Sequence, residues 1–243
     1  MNNTLHYQFT VIVPVYNEEE GIARLATALG EFIAQGAVPS CVLFVNDGST
    51  DNSQDLIKKE CEARHHFFYL CFDGNRGLSA AIKAGIDYAE SQWVGYIDAD
   101  LQTDPLDFNI LLSYANEFPL VTGIRANRKD SHFKRIQSKI ANRFRRLMTG
   151  DTATDTGCPL KVIQTEYAKR IPFFIGMHRF LPALIMLQQD GRFKEIPVHH
   201  YPRISGQSKF HLWNRLKGPF IDCFAYRWMK KRAIRYQIKS QYI

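Results

Sequence analysis

The sequence predicts an α/β fold in which a mostly parallel central sheet carries helices on both faces. Three observations support this class. Short apolar runs alternate with stretches of helical periodicity between residues 9 and 97. The runs are hydrophobic at nearly every position, as strands buried on both faces are. At 243 residues, of which 45% are hydrophobic, the chain can bury the core of one large domain.

Each element is placed by its periodicity and its boundaries. Strands are expected at 9–15, 41–45, 67–72 and 93–97. Helices are expected at 18–32, 52–63 and 78–90. The first helix has apolar side chains at helical spacing, namely Ile22, Leu25, Leu29 and Phe32. Because parallel neighbours need a crossover, usually a helix, this order predicts a parallel sheet covered by helices.

A polar cluster follows each predicted strand. The clusters are Pro14-Val-Tyr-Asn-Glu18, Asn46-Asp-Gly-Ser49, Asp73-Gly-Asn-Arg-Gly77 and Asp98-Ala-Asp100. Any one of them is explained equally well by turn chemistry or a helix cap. Ligands of open α/β sheets bind outside the carboxyl ends of the strands, so four clusters at such ends predict a binding site. The glycine patterns of a Rossmann site and of a P-loop are absent from the sequence.

Asp98 and Asp100 predict a metal site. In an extended segment, side chains two positions apart lie on the same side, where two carboxylates would repel each other. A divalent cation relieves that repulsion, and ligands that are all oxygen favour Mg²⁺ or Mn²⁺ over zinc. Magnesium commonly completes its shell with substrate phosphate, which indicates a phosphate-bearing substrate. A shared-proton pair or a salt-bridged turn is the alternative.

The net charge of +7 is unevenly distributed. Residues 125–150 contain nine Lys and Arg against one acid, and residues 203–239 contain ten against one. The rest of the chain holds 12 basic and 22 acidic residues. Two basic segments on an otherwise acidic chain imply an anionic partner: phosphate groups, nucleic acid or an anionic membrane surface. No nucleic-acid recognition module is visible in the sequence, so nucleic acid is not expected.

The sequence favours a cytoplasmic protein with reduced thiols. Its apolar stretches are far shorter than the roughly 20 residues that cross a bilayer, and the polar start lacks the layout of a signal peptide. Five scattered cysteines fit neither a disulfide framework nor a zinc site. We expect buried thiols at Cys41, Cys61, Cys71, Cys158 and Cys223.

Four motifs together resemble the family 2 glycosyltransferases of the GT-A fold. They are Pro14-Val-Tyr-Asn-Glu18, Val45-Asn-Asp-Gly-Ser-Thr-Asp51, Asn75-Arg-Gly77 and Asp98-Ala-Asp-Leu-Gln102. Later segments are similar to the branch that makes polyprenyl-phosphate sugars, the dolichol- or undecaprenyl-phosphate mannosyl- and glucosyltransferases. These are Gly123-Ile-Arg-Ala-Asn-Arg128, Asp155-Thr-Gly-Cys158, His178-Arg-Phe-Leu181 and Tyr201-Pro-Arg-Ile-Ser-Gly-Gln-Ser-Lys209. The resemblance covers residues 9–215, and from this sequence we expect none of the transmembrane helices that many members carry.

The resemblance implies a role for each matching position. The base and ribose of a nucleotide-sugar donor would be held by Pro14, Tyr16, Glu18 and Asp47, with Arg76 and Lys83 near that pocket. The metal and the diphosphate would be held by Asp98, Asp100 and Gln102. Donor and acceptor phosphates would face Arg125, Arg128, Arg179, Arg203 and Lys209. Asp155 is expected on the acceptor side.

The expected reaction is metal-dependent, inverting transfer of a sugar from a UDP- or GDP-linked donor to a polyprenyl phosphate. A phosphate monoester is already an anionic nucleophile near neutral pH, because its second pKa is about 6, so no strong general base is required. Arginine suits such an acceptor because its planar fork binds phosphate oxygens. The alternative is a glycan hydroxyl acceptor in polysaccharide synthesis, which needs a base such as Asp151 or Asp155. Otherwise Asp155 caps a helix or orients an arginine.

Two basic segments, 131–148 and the segment after Pro219, have apolar residues at helical spacing. Both predict interfacial helices beside anionic lipids, and core-packed helices with a solvated basic face are the alternative. We therefore expect a GT-A catalytic domain at 1–215 and a basic amphipathic helical extension at 216–243. The expected location is peripheral, at the inner face of the membrane. A membrane-anchoring partner subunit is a further hypothesis.

Overall fold

A computed structural model of the protein describes residues 7–125, 132–201 and 212–234, with positions 132–140 and 212–217 described as backbone only. The strands are β1 (Phe9–Val15), β2 (Ser40–Asn46), β3 (Phe67–Cys71), β4 (Trp93–Tyr96), β5 (Leu120–Arg125), β6 (Lys161–Gln164) and β7 (Phe193–Val198). The helices are α1 (Ile22–Gln35), α2 (Ser53–Ala63), α3 (Leu78–Tyr88), α4 (Phe108–Leu112), α5 (His132–Thr149), α6 (Thr165–Lys169), α7 (Leu181–Ile185) and α8 (Leu212–Arg232). Short 3₁₀ turns cover Pro105–Asp107 and Met177–Phe180.

The strands form one sheet in the order β3-β2-β1-β4-β6-β5-β7. β1 pairs in parallel with both β2 and β4, and the β2–β3 and β5–β7 pairs are also parallel. Among the described strands, β6 alone runs antiparallel, to β4 and β5. The sequence did not predict β5, β6 or β7. The prediction of a mostly parallel α/β sheet is confirmed. After β1 the chain moves to β2 and β3 and then returns to β4, so the β1–β4 junction is the topological switch point.

Helices cover both faces of the sheet. On one face, the ring of Phe9 packs edge-to-face against Phe32 of α1 and Phe108 of α4, with centroids 6.1 and 5.1 Å apart. On the other face, Ile12 lies in a second core with α3. Gly85 permits this close approach, because a Cβ there would lie 2.5 Å from the Ile12 side chain. β1 and β2 are buried along nearly their whole length, as their unbroken apolar runs require.

The largest boundary error in the first half concerns α1. The helix predicted at 18–32 begins at Ile22 and ends at Gln35. Residues before it form a loop because Asn17 takes a left-handed conformation (φ 52°). The backbone N–H groups of Glu18 and Glu19 donate to Ser53 Oγ and Asp51 Oδ2 rather than entering a helix.

Helix α8 packs on the core. Tyr226 is fully buried and its hydroxyl donates to the carbonyl of Ala183 (2.9 Å). Phe220 stacks on Phe144 of α5, with ring centroids 5.1 Å apart. The helix was predicted to follow Pro219, yet it begins at Leu212 and contains that proline. Proline removes one helical hydrogen bond, and the packing of later turns compensates. The predicted boundary at 215/216 therefore falls inside one helix.

Two expectations about the chain's environment can be compared with the structure. Cys41, Cys158 and Cys223 are buried free thiols, as predicted, whereas Cys61 is half-buried and Cys71 is exposed. Among the described residues, no helix combines the length and the apolar character that a membrane span requires.

Candidate active site

A cavity of about 440 Å³ opens at the carboxyl ends of β1, β2 and β4, at the switch point of the sheet. Eight of the predicted site residues line it: Pro14, Tyr16, Glu18, Asp47, Arg76, Asp98, Asp100 and Arg179. Four others are not among the described residues that line it: Lys83, Gln102, Arg125 and Asp155. The remaining three, Arg128, Arg203 and Lys209, lie outside the described residues. The motif loops thus converge on one cavity.

Hydrogen bonds connect the first two loops of the cavity. The backbone N–H of Asn17 donates to Ser49 Oγ (2.9 Å), and the N–H of Thr50 donates back to Asn17 Oδ1 (2.8 Å). Each loop supplies the partners of the other, which explains why Asn17 remains in a left-handed conformation. The Pro14–Glu18 segment is therefore held in place before any ligand binds.

Asp47 fixes the third loop of the cavity. Its buried carboxylate accepts hydrogen bonds from the backbone N–H groups of Arg76 (2.6 Å) and Gly77 (2.8 Å) and from Asn75 Nδ2 (3.0 Å). Gly48 is left-handed (φ 67°) and approaches Gly74 so closely that a Cβ would overlap its backbone. Besides lining the cavity, Asp47 thus has a structural role that the sequence did not predict.

Asp98 and Asp100 both line the cavity, but not in the predicted extended conformation. β4 ends at Tyr96, and the chain then turns. The turn forms because Asp100 Oδ1 accepts the backbone N–H of Gln102 (3.1 Å), with Leu101 left-handed at φ 52°. Two carboxylates that line one cavity supply the oxygen ligands that a hard divalent cation such as Mg²⁺ or Mn²⁺ prefers.

Gln102 connects the cavity to the end of β7. Its carbonyl oxygen accepts the backbone N–H of Tyr201 (2.8 Å) and contacts His200 Nδ1 (3.0 Å). Nearby, His199 contacts the buried Asp107 through its ring Nδ1 (2.9 Å) and its backbone N–H (2.7 Å). The hydrogen bond to Asp107 raises the pKa of His199. These contacts fix the segment that precedes Arg203.

Arg125 and Asp155 form a bidentate ion pair. The guanidinium donates to both carboxylate oxygens at 2.8 Å, and the backbone N–H of Arg125 donates to Oδ2 (3.1 Å). Glu195 of β7 holds this unit, since its carboxylate accepts the N–H groups of Thr154 (2.8 Å) and Asp155 (3.1 Å). Asp155 therefore orients an arginine, one of the roles that the sequence left open. Nothing in the sequence pattern identified Glu195.

Asp151, the other candidate base, is a structural residue. It is buried and accepts hydrogen bonds from Arg145 Nη1 (2.6 Å), Thr149 Oγ1 (2.6 Å) and the N–H of Ala153 (2.8 Å). Arg145 is itself buried, whereas the sequence placed it on the basic face of an interfacial helix. A helical wheel cannot show this, because the partner of Arg145 lies beyond the end of α5.

Lys161 lies fully buried behind the site. Its Nζ donates to the carbonyl of Cys158 and to the Tyr96 hydroxyl (3.3 Å). Burial lowers the pKa of Lys161, while the negative charges of Asp155 and Asp98 oppose that shift. In the sequence it is a single lysine between Leu160 and Val162, and the sequence pattern did not identify it.

His178 also lines the cavity, although the sequence indicated it only as part of the His178-Arg-Phe-Leu181 motif. Its Nδ1 lies 2.7 Å from Ser79 Oγ, which accepts the backbone N–H of Gly176 (3.0 Å). Burial, with the charges of Arg179 and Lys161, lowers the pKa of His178 to about 3. The ring is therefore neutral at physiological pH.

The two remaining basic residues of α3 and its preceding loop form surface ion pairs. Arg76 Nη2 lies 3.0 Å from Asp73 Oδ1, and its side chain reaches the cavity. Lys83 Nζ lies 2.5 Å from Asp87, one helical turn away. Exposed pairs of this kind contribute little to stability.

Helix α8 exposes an apolar strip, here called the α8 face: Phe220, Ile221, Phe224 and Trp228. Trp228 is 61% exposed, and Arg232 lies over its ring at 5.2 Å. Three other basic residues of this part of α8 are also exposed: Arg227, Lys230 and Lys231. Leu147, near the end of α5, is 77% exposed.

Asp222 of α8 connects this helix to the cavity. A Cβ at Gly176 would lie 2.5 Å from Asp222 Oδ2, so the carboxylate lies directly against that glycine. Gly176 lies between Ile175 and Met177. Ile175 lines the cavity, and its side chain is 83% exposed. Helix α8 and the cavity are therefore neighbours, through Asp222.

Residues 10–173, more than half of the chain, match glycosyl transferase family 2. Curated relatives from Salmonella dublin and Salmonella enteritidis PT4, both named undecaprenyl-phosphate 4-deoxy-4-formamido-L-arabinose transferase, are 35% identical over 206 residues. The alignment covers 83% of this chain and 62% of each relative, so the chain spans less than two thirds of their length.

Solved structures support the same fold. A crystal structure of glucosyl-3-phosphoglycerate synthase from Mycobacterium tuberculosis, in complex with Mn²⁺, UDP-glucose and phosphoglyceric acid, has a TM-score of 0.71 at 14% identity, covering 94% of this chain and 81% of that one. A structure of the same enzyme with phosphoglyceric acid alone has a TM-score of 0.68 at 13% identity, with the same coverage. From the family match, we conclude that the chain belongs to glycosyl transferase family 2.

Proposed function

We propose that the protein transfers a sugar, with inversion, from a UDP- or GDP-linked donor to a polyprenyl phosphate. The observation that carries the choice of acceptor is the bidentate Arg125–Asp155 pair, because it uses Asp155 to orient an arginine. The names of the curated relatives support a polyprenyl-phosphate acceptor. The cavity at the switch point supports a nucleotide-sugar donor.

The donor would occupy the cavity. Its base and ribose would lie among Pro14, Tyr16, Glu18 and Asp47, with the diphosphate toward Asp98, Asp100 and Arg179. Mg²⁺ or Mn²⁺ held by Asp98 and Asp100 would neutralise charge on the departing diphosphate. Such a metal is supported by the donor set, and Mn²⁺ accompanies UDP-glucose in the structural neighbour. Gln102 would shape this site through the turn that its N–H makes with Asp100.

The acceptor phosphate needs no proton acceptor from the protein. One phosphate oxygen attacks the anomeric carbon, the bond from that carbon to the diphosphate oxygen breaks, and the nucleoside diphosphate leaves with the electron pair. A lipid monophosphate is largely dianionic above its second pKa of about 6. Arg125 would bind it, and the resemblance implies the same role for Arg128 and Arg203. Fixed arginine forks are suited to phosphate.

A hydroxyl acceptor is less well supported. It must lose a proton during transfer, so it needs a base within hydrogen-bond reach. Both acids that the sequence offered are engaged: Asp151 by Arg145 and Asp155 by Arg125. In each case both carboxylate oxygens already accept hydrogen bonds from the guanidinium.

We further propose that the α8 face contacts an anionic membrane surface, at the inner face of the membrane where the acceptor would lie. Half-exposed aromatic side chains beside Arg227, Lys231 and Arg232 have the chemistry of an interfacial helix. Each basic side chain near such a surface contributes about 1 kcal/mol. Contact there would bring the cavity, which Asp222 connects to α8, close to the lipid phosphate. The division into a 1–215 catalytic domain and a 216–243 extension remains a proposal, as does an anchoring subunit.

The test is a transfer assay with Mn²⁺ or Mg²⁺, in which radiolabelled UDP- and GDP-sugars are offered to a short polyprenyl phosphate and label is counted in the organic phase. We expect label with one donor, abolished by a chelator and reduced at least 100-fold, on the order expected for loss of a metal ligand, in Asp100→Asn. Asp73→Asn, an exposed acid of the neighbouring loop, is the control. Label that appears only with a glycan hydroxyl acceptor would contradict the proposal.

A further inference from the structure

His178 occupies a fixed position in the cavity. It lies in the 3₁₀ turn Met177–Phe180, and its Nδ1 contacts Ser79 Oγ at 2.7 Å. Ser79 belongs to the first turn of α3 and is buried, so water has little access to this contact. The two residues are 99 positions apart in the chain, and the contact therefore fixes the loop on the helix.

The loop before His178 is also fixed from the other side. The N–H of left-handed Gly176 (φ 94°) donates to Ser79 Oγ at 3.0 Å, and the carboxylate of Asp222 lies against its Cα. Ser79 and α8 thus enclose the loop. A side chain held on both sides loses little conformational freedom when a ligand binds, which favours a binding role.

The hydrogen bonds at Ser79 favour one tautomer of His178, because a buried hydroxyl needs an acceptor for its own hydrogen. Ser79 Oγ accepts the N–H of Gly176 and has one hydrogen of its own to donate, and the ring Nδ1 lies within its reach. With Nδ1 as acceptor, a neutral ring carries its proton on Nε2, at the opposite edge. Burial and the nearby charges of Arg179 and Lys161 lower the pKa of His178 to about 3, so the ring remains neutral.

The position of His178 in the cavity indicates which end of the donor it meets. It is adjacent to Arg179 and shares the cavity with Asp98 and Asp100. Lys161, whose charge acts on His178, contacts Tyr96 at the end of β4, two residues before Asp98. His178 therefore lies toward the carboxylate end of the cavity, where the diphosphate and sugar would be.

We propose that His178 is a specificity-determining residue whose Nε2–H donates a hydrogen bond to an oxygen of the sugar–diphosphate part of the donor. Ser79 is its positioning residue, because it fixes the ring and its tautomer. The inference rests on the proposed function and adds to it a neutral hydrogen-bond donor with a fixed direction. In this tautomer Nε2 is a hydrogen-bond donor, so His178 is assigned no part in holding the metal.

The test compares His178→Phe with His178→Gln. The terminal amide of glutamine can place an N–H near the position of Nε2, whereas phenylalanine retains only the ring. Binding of UDP, GDP, UDP-glucose and GDP-mannose is measured by calorimetry with saturating Mn²⁺, alongside thermal unfolding of each variant. For the probe that wild type binds best, we expect about a ten-fold loss in His178→Phe and a loss of less than about three-fold in His178→Gln.

Several results would overturn the inference. Unchanged binding in His178→Phe would do so while leaving the proposed function intact. So would a loss confined to the affinity for Mn²⁺, because His178 would then be a metal ligand. A break in wild-type affinity near pH 6.5 that vanishes in His178→Phe would contradict the neutral ring. If no probe binds to wild type with Mn²⁺, the proposed donor site fails and this inference fails with it.

Discussion

The donor cavity and the α8 face differ in how far their side chains are bonded to the rest of the protein. In the cavity, carboxylates such as Asp47 accept several hydrogen bonds, and the surrounding loops hold one another in place. On α8, Phe224 and Trp228 are half-exposed or more, beside basic side chains that extend into solvent. One region satisfies its polar groups internally, and the other leaves apolar area uncovered.

The difference indicates two kinds of partner. A cavity whose loops are already fixed suits a small polar ligand, because the loops lose little conformational entropy when the ligand binds. An exposed apolar strip with basic neighbours suits a large, flat, anionic surface. A transferase that joins a water-soluble donor to a lipid acceptor needs both regions, and Asp222 of α8 contacts the cavity loop at Gly176.

The largest effect is expected in the cavity, from Asp47→Ala. The change removes the acceptor for two backbone N–H groups and for Asn75, so the free energy of unfolding should fall by about 3 kcal/mol. Urea denaturation measures the loss. The control is Asp73→Ala, whose exposed ion pair with Arg76 should change stability by less than about 0.5 kcal/mol. Equal effects of the two changes would show that the third loop does not depend on Asp47.

A smaller effect is expected at the junction, from Gly176→Ala. The new Cβ would overlap the carboxylate of Asp222, and alanine would have to adopt the left-handed conformation of Gly176. The free energy of unfolding should therefore fall by about 2 kcal/mol. Adding Asp222→Ala should restore part of the loss, because it removes the overlap but not the backbone strain. Thermal unfolding of the single and double variants measures this. If the second change restores nothing, α8 does not press on the cavity loop.

The smallest effect on stability is expected on the α8 face. Phe224→Asp and Trp228→Asp alter half-exposed positions, and Phe224 packs edge-to-face on Phe220 (ring centroids 5.2 Å apart), so stability should change by less than about 1.5 kcal/mol. Co-sedimentation with anionic vesicles at low salt should nevertheless fall about ten-fold, which corresponds to the loss of one buried aromatic side chain. Tyr88→Asp, at the exposed end of α3, is the matched control. Equal wild-type binding to neutral and anionic vesicles would contradict the membrane proposal.

Much of the fold and the cavity could be predicted because the signals are local. The apolar runs of β1 and β2 are continuous, and the polar clusters after them include turn formers such as Gly48. The conformation of Asp98 and Asp100 was predicted wrongly, because the turn depends on a hydrogen bond from Gln102 that the strand pattern does not reveal. The convergence of the clusters was nevertheless confirmed.

The remaining features depend on partners far apart in the sequence. Glu195 is 41 residues from Thr154, and His178 is 99 residues from Ser79, so no periodicity connects them. Antiparallel β6 was missed because a four-residue strand with a buried lysine does not read as an apolar run. In α5, the basic pattern could not separate Arg145, which is buried against Asp151, from its solvated neighbours.

The most direct test of the central claim, transfer to a phosphate acceptor without a general base, is the kinetics of Asp155→Asn. If Asp155 only orients Arg125, the change should raise KM for polyprenyl phosphate about ten-fold, as the loss of a charge-assisted contact would, and lower kcat by less than that. If Asp155 is a general base, kcat should instead fall by roughly 100-fold or more with KM little changed. The first result would support a phosphate acceptor bound by an oriented arginine, and the second would contradict it.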